Sequence, residues 1–274
     1  MAIVLRSVPA SRGPRWVADA FRLFVRRPIG FTFLFALFLV VAMLLALLPW
    51  IGGLLQMMLL PLLSLGFMIA GQSVLLGGPA LPQHFIEALR TDERRRRAIA
   101  LLCLGYGLAA LAILMLSDAV SDHAWERLQP LLAQGEAARE QVADLLAEPG
   151  VAWGTLIAAV LGSLLSVPFW HAPALVHWGG QGVRQALFSS TLALWRNKGA
   201  YAMYMLAWMA TMLSFALVSA LVFGLFDAQQ AAGALGVPAG IVFSSVFYLS
   251  VLFTFNDCFG GALPSAEPLP PPAA

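Results

Sequence analysis

Charge is what this sequence has least of. Of its 274 residues, 11% are Asp, Glu, Lys or Arg, where soluble chains carry roughly 25%. Hydrophobic residues make up 60%, against about 45–50% in a soluble domain. Too few polar side chains exist to cover a surface in water, which excludes a soluble globular fold, and the same apolar excess excludes a disordered chain. Cysteine is equally scarce. Cys103 and Cys258 both lie in or at the end of apolar segments, so a disulfide scaffold is excluded and both are expected to be small buried hydrophobes. The patterns GxxxxGK[ST], GxGxxG, HExxH, CxxC and GxSxG are missing, which lowers the expectation of an enzyme. The four histidines are scattered, so neither a metal nor another cofactor is expected. No cleavable signal peptide is expected either. The first apolar stretch starts only after Arg26-Arg27-Pro28, is too long for a signal core and has no small-x-small cleavage site.

What is present is a series of long charge-free runs. Pro28 to Ile86 is 59 residues without an ionisable Asp, Glu, Lys or Arg, enough for two crossings of about 20 residues each. It is broken at Pro49-Trp50-Ile51-Gly52-Gly53, where Pro and Gly permit a turn and Trp suits a membrane interface. Four further runs follow, giving six predicted spans at about 29–48, 54–76, 98–117, 151–175, 200–225 and 238–257. The expected fold is all-α: a single six-helix membrane domain over 1–263, with an acidic outer loop at 118–150 and a Pro-rich, disordered tail at 264–274. Fourteen of the 16 basic residues fall in segments 1–28, 77–97 and 176–199, while the loop 118–150 holds only Arg127 and Arg139. The positive-inside rule then places both termini in the cytoplasm of a bacterial inner membrane.

Each odd-numbered span follows a short amphipathic stretch. The first, Arg15 to Arg27, has Trp16, Val17, Ala20, Phe21 and Phe24 on one face. The second has Leu81, Phe85 and Leu89, and the third Val183, Leu187, Thr191 and Leu194. Apolar residues at three-to-four spacing opposite basic ones describe a helix lying at the headgroups. The expected unit is therefore an interfacial helix followed by a membrane hairpin, used three times.

Few polar residues interrupt the spans. Pro173 is expected to kink the fourth span and free a backbone carbonyl. His171 and His177 flank it, about 120° apart around an ideal helix, so a two-histidine metal site on one helix is disfavoured. A plain aromatic belt with two interfacial histidines is the simpler account; a ligand or proton site is the sharper one. Asn256 and Asp257 close the sixth span, and Asp257 needs a cation, for which Arg196, Lys198 and the run Arg94-Arg95-Arg96-Arg97 are candidates. A helix-end ion pair is the simpler reading there, because a lone carboxylate has no visible acid–base partner. Gln72, inside the second span, is expected to hydrogen-bond between helices. The run Arg94–Arg97, with Arg196 and Lys198, is expected to set topology and to meet anionic lipid, at about 1 kcal/mol per charge near the surface. Nucleic acid is not an expected partner.

The stretches FWHAPALVHW (169–178), LALWRN (192–197), FTFNDCF (253–259) and FRLFVRRP (21–28) resemble those of an uncharacterised family of proteobacterial, mainly betaproteobacterial, integral inner-membrane proteins. The resemblance covers most of the chain except the outer loop and the tail. It implies a basic residue just before the carboxylate of the last motif, where this chain has Asn256. More loosely, the three-hairpin layout is similar to the membrane domain fused to some bacterial glycerophosphodiester phosphodiesterases, though the catalytic domain of those enzymes has no counterpart here. The expected function is a non-enzymatic, lipid-interacting or accessory membrane protein with membrane lipids and a membrane-protein partner. The alternatives are a transporter or lipid-handling permease using the kinked fourth span, and after it an intramembrane enzyme built on His171, His177 and Asp257.

Overall fold

The computed structural model describes residues 4–225 and 229–260. The Pro-rich tail 264–274 lies outside the described residues. Among those described there are helices and no strands. Six helical segments are long and apolar enough to cross a membrane: Pro28–Ala46, Gly52–Leu75, Glu93–Val120, Pro149–His177, Lys198–Phe223 and Leu235–Phe259. This is an all-α polytopic membrane protein.

The chain opens with α1 (Arg12–Arg26). Pro28 at the first position of α2 (Pro28–Ala46) has its φ preset for a new helix, so α1 stops and α2 sets off on its own axis. Trp50, in the left-handed region at φ 67° and almost fully exposed, turns the chain into α3 (Gly52–Leu75). A short α4 (Gln83–Glu87) precedes α5 (Glu93–Val120), whose N-terminus is capped by Asp92 accepting from the Arg95 N–H at 3.0 Å. Two small helices, α6 (Ala124–Ala133) and α7 (Arg139–Leu146), form the acidic loop. The fourth span is α8 (Pro149–Phe169) continued by α9 (Ala172–His177). Then come α10 (Val183–Arg196), α11 (Lys198–Leu225) and α12 (Gln229–Phe259).

The centre is built from α3, α5 and α12, with α1 wedged against α11 and α12. Trp16, Leu23, Phe31, Leu34, Phe67, Tyr204 and Phe255 are fully buried there. By contrast α8 packs mainly on α5 and α10, and α11 mainly on α1; their other faces carry exposed Leu, Val and Met, which is what lipid accepts. Gly150 and Gly154 let α8 approach α5 closely: a Cβ on Gly154 would sit 2.6 Å from the Ser117 carbonyl oxygen, and the Ser117 hydroxyl donates to the Gly154 carbonyl at 2.9 Å. This small-residue stripe serves packing within the chain.

Four expectations are corrected. First, the apolar face of α1 packs against protein rather than lipid. Trp16, Val17, Ala20, Leu23 and Phe24 are buried in protein, and Gly13 touches the backbone of α11 so closely that a Cβ would overlap the Ala200 carbonyl oxygen. Second, the middle amphipathic stretch is helical over only five residues, and the buried stripe of α10 is Ala186, Ser190 and Ala193, with Val183, Leu187 and Leu194 half-buried against the core beside it and Thr191 exposed. Phe188 and Trp195 point outward from α10 and remain exposed. Third, α5 begins at Glu93, so the four arginines occupy its first turns rather than preceding it; Asp92 supplies the cap and Glu93 the first-turn acid that make this start favourable. Fourth, α12 begins before Pro238, which sits inside it.

Candidate functional site at the interrupted fourth span

The fourth span breaks at Trp170-His171. Pro173 lacks the N–H that would reach back to residue 169 and its ring crowds that carbonyl. Two places earlier in the ladder, the bond from the His171 N–H to the Val167 carbonyl is also absent. The hydroxyl of Ser190 on α10 stands in that gap. It accepts from the His171 N–H at 3.0 Å and donates to the Val167 carbonyl at 3.0 Å. A side chain has thus replaced one turn of backbone hydrogen bonding inside a buried region, which lipid-facing backbone could not tolerate.

The break turns His171 into the protein, where it is fully buried. Its Nε2 lies 2.9 Å from the Tyr201 hydroxyl and 3.3 Å from Thr254 Oγ1, while Nδ1 has no partner. Phe255 and Phe259 flank the ring. The polar chain continues from Tyr201 to Cys258 Sγ at 3.7 Å and from there to Asn197 Nδ2 at 3.5 Å. Asn197 also accepts from the Val8 N–H at 2.8 Å and donates to the Arg6 carbonyl at 3.2 Å. It thereby pins the N-terminal segment onto α10 and α12. Trp170 donates to Thr254 at 3.3 Å and packs edge-on against Tyr201, Tyr204 and Phe247.

Asp257 belongs to a second arrangement. Its carboxylate accepts from Arg12 Nε at 2.7 Å, Arg12 Nη2 at 3.1 Å and Trp16 Nε1 at 2.6 Å. The cation is therefore Arg12 of α1, and none of Arg196, Lys198 or the arginine run. Hydrogen bonding to Asp257 raises the Arg12 pKa above its ordinary value. The fork of Arg12 supplies from a distant helix the basic partner that Asn256 does not supply locally; Asn256 is half-buried beside it, its carbonyl accepting from the Gly260 N–H. Trp16 links the two arrangements by packing on Tyr201 at 5.3 Å, yet no hydrogen bond or ion pair among the described residues joins His171 or His177 to Asp257.

His177 ends α9, and its carbonyl accepts from Arg95 Nη1 at 3.1 Å. Arg95 also pairs with Asp92 at 3.2 Å. The run thus divides: Arg95 is half-buried and tied to the fold through the His177 carbonyl, while Arg94, Arg96 and Arg97 are exposed, Arg97 with only a loose pairing to Glu93 at 3.6 Å. Lys198 sits over the exposed Trp195 ring at 5.6 Å, beside an exposed Arg196. Gln72 is half-buried in the last turn of α3, at the same end of the molecule.

Two cavities border this region. One of about 130 Å³ lies beside the break, near Ser64, Tyr106, Ser166 and Trp170, and is smaller than the roughly 300–1,000 Å³ of ligand pockets. The other, about 440 Å³, is walled by Phe35, Phe38, Trp208, Phe243 and Phe247. Ser190, Tyr201, Thr254, Arg12 and Trp16 were invisible as site residues in the sequence, since each is an ordinary residue on an amphipathic or apolar helix. The quoted stretches 169–178, 192–197 and 253–259 do meet here, through the Trp170–Thr254, His171–Thr254 and Asn197–Cys258 contacts.

A bundle of six membrane-length helices, knitted at one end by buried polar groups, defines a polytopic α-helical membrane protein. The chain is 34% identical over 272 residues to a probable inner membrane protein of Burkholderia thailandensis, the alignment covering 97% of each chain. It belongs to that protein's family. No protein-family model matches it, and no solved structure does.

Proposed function

We propose that this is a non-enzymatic, lipid-interacting inner-membrane protein whose basic end, with both termini, faces the cytoplasm and binds anionic lipid. One observation carries the reading: three of the four clustered arginines are exposed at the start of α5 while Arg95 alone is committed to the fold. The same end carries outward Trp195 beside Arg196 and Lys198, and outward Phe188 earlier on α10, a combination suited to headgroups. The aromatic cavity of about 440 Å³ suits an acyl chain. An accessory role beside another membrane protein fits the same surface. The test is native mass spectrometry of the full chain in nanodiscs containing phosphatidylglycerol. Replacing Arg94, Arg96 and Arg97 by Glu, with Arg95 kept, is expected to abolish selective retention of that lipid. Unchanged retention overturns the reading.

The interruption of the fourth span at Trp170-His171 favours a second reading, a lipid-handling permease or transporter. A cysteine at Ser166, which lines the cavity beside the break, in a background lacking Cys103 and Cys258, tests it. Labelling by a membrane-impermeant thiol reagent supports a water path, and resistance from both sides eliminates one.

A further inference from the structure

We propose a second binding site, at the opposite, acidic end of the molecule, that takes an organic ammonium ion with Asp118 as its counter-charge. Where α5 and α8 meet the small helices α6 and α7 there is a cavity of about 450 Å³, within the range of small-ligand pockets. Leu114, Trp125, Leu128, Leu145 and Val151 make most of its wall apolar. Its polar part is Ser117, Asp118, Ser121 and Thr155. Asp118 Oδ2 is 2.8 Å from His123 Nδ1, whereas Oδ1 has no hydrogen-bond partner, in a side chain that is 31% exposed. A carboxylate oxygen that accepts nothing within the chain has capacity left for a donor from outside it, and a side chain that is not enclosed can turn to present it to the cavity. The neighbouring hydroxyls point to the same ligand. The Ser117 proton is committed to the Gly154 carbonyl and the Ser121 proton to the Asp118 carbonyl, at 2.9 and 3.0 Å. Their oxygens can therefore only accept.

A wall that accepts hydrogen bonds, bears one negative charge and is otherwise apolar selects a cation with N–H donors and a hydrocarbon or aromatic body. A bare metal ion is a poor match: most of the lining is carbon, and among the described residues no three His, Cys, Asp or Glu side chains cluster. The nearby charges agree. Asp122 and Glu126 add to the negative field at His123, and the rim cation Arg127 is already paired with Glu148. The ammonium could come from a soluble amine or from the headgroup of an aminophospholipid, and the test separates them.

The full chain is placed in nanodiscs of phosphatidylcholine, whose headgroup has no N–H, and binding of radiolabelled phenethylammonium is measured at neutral pH. Saturable binding is expected, with none for the neutral phenethyl alcohol. Asp118→Asn should weaken it at least tenfold, and Asp19→Asn, which makes the same charge change at the far end, should not. Thr155→Trp, which fills the cavity from α8 and leaves the Asp118–His123 pair intact, should also abolish binding, so the result does not hang on one variant's folding. Repeating the measurement in discs containing phosphatidylethanolamine identifies the source: competition assigns the site to the lipid headgroup, and undisturbed binding assigns it to a soluble amine. Equal binding of the alcohol overturns the proposal. So does full affinity in either site variant, or the lack of saturable amine binding together with no retention of phosphatidylethanolamine over phosphatidylcholine.

Discussion

Ser190 shows how much can rest on one hydroxyl in an apolar protein. It satisfies an N–H and a carbonyl that Pro173 and the turn at His171 leave without helical partners. In Ser190→Ala both groups stay buried and unpaired, at a cost of about 2 kcal/mol; a guanidinium or SDS unfolding titration in mixed micelles should show a loss of that size. Gly13 is a residue of the opposite kind, needed for what it lacks. A Cβ there would overlap the α11 backbone at Ala200, so Gly13→Ala should destabilise by about 1–3 kcal/mol through overpacking. Gly53, with nothing within 4 Å of its Cβ position, is the control. The same substitution there should be neutral or stabilising by about 0.5–1 kcal/mol, read in the same unfolding assay.

Among elements, α1 is the one whose role changes most between pattern and packing. Its amphipathic period predicts a helix on the membrane surface, and its apolar face would fit lipid as well as protein. Arg12 and Trp16 decide the matter by converging on Asp257 of α12, because a carboxylate inside a membrane protein must be paired. A double-mutant cycle on Arg12→Ala and Asp257→Asn should yield a coupling of about 1–3 kcal/mol; additive effects would show that the pair does not dock α1. At the other end, His123 joins α5 to α6. Its hydrogen bond to Asp118 and the Asp118 charge, then Glu126 and Asp122, raise its pKa above the ordinary 6.5. Because the folded value lies above the unfolded one, the pair's contribution is complete below about pH 6.5 and is lost as pH rises through the raised value. NMR titration of the histidines should find His123 titrating above 6.5 and shifting down in Asp118→Asn, which removes the largest cause and leaves Glu126 and Asp122. Amide exchange at 118–123 should quicken on the alkaline side.

For the whole molecule, the uneven packing of the spans has a measurable consequence. Phe67 lies fully inside, and Phe67→Ala should cost about 3–5 kcal/mol. Leu164 on α8 faces outward, where the folded and unfolded states both meet lipid, so Leu164→Ala should change stability by less than about 0.5 kcal/mol. A comparable loss at both positions would mean that α8 is buried against another protein chain.

Sequence alone determined the class and the spans, because lipid demands about 20 apolar residues per crossing and charge is absent from those runs for that reason. It also determined where the fourth span breaks, since Pro173 acts locally, and it marked His171 and Asp257 as polar groups that must find partners. The tertiary structure alone decided who those partners are. Arg12 lies 245 positions from Asp257, Ser190 repairs a break 19 positions away, and Tyr201 meets His171 across 30. No periodicity encodes such distances. Hydrophobic spacing reports that a helix has two faces; whether its apolar face meets lipid or protein depends on which neighbour brings a complementary charge, a gap the width of a glycine, or a hydroxyl at the right depth.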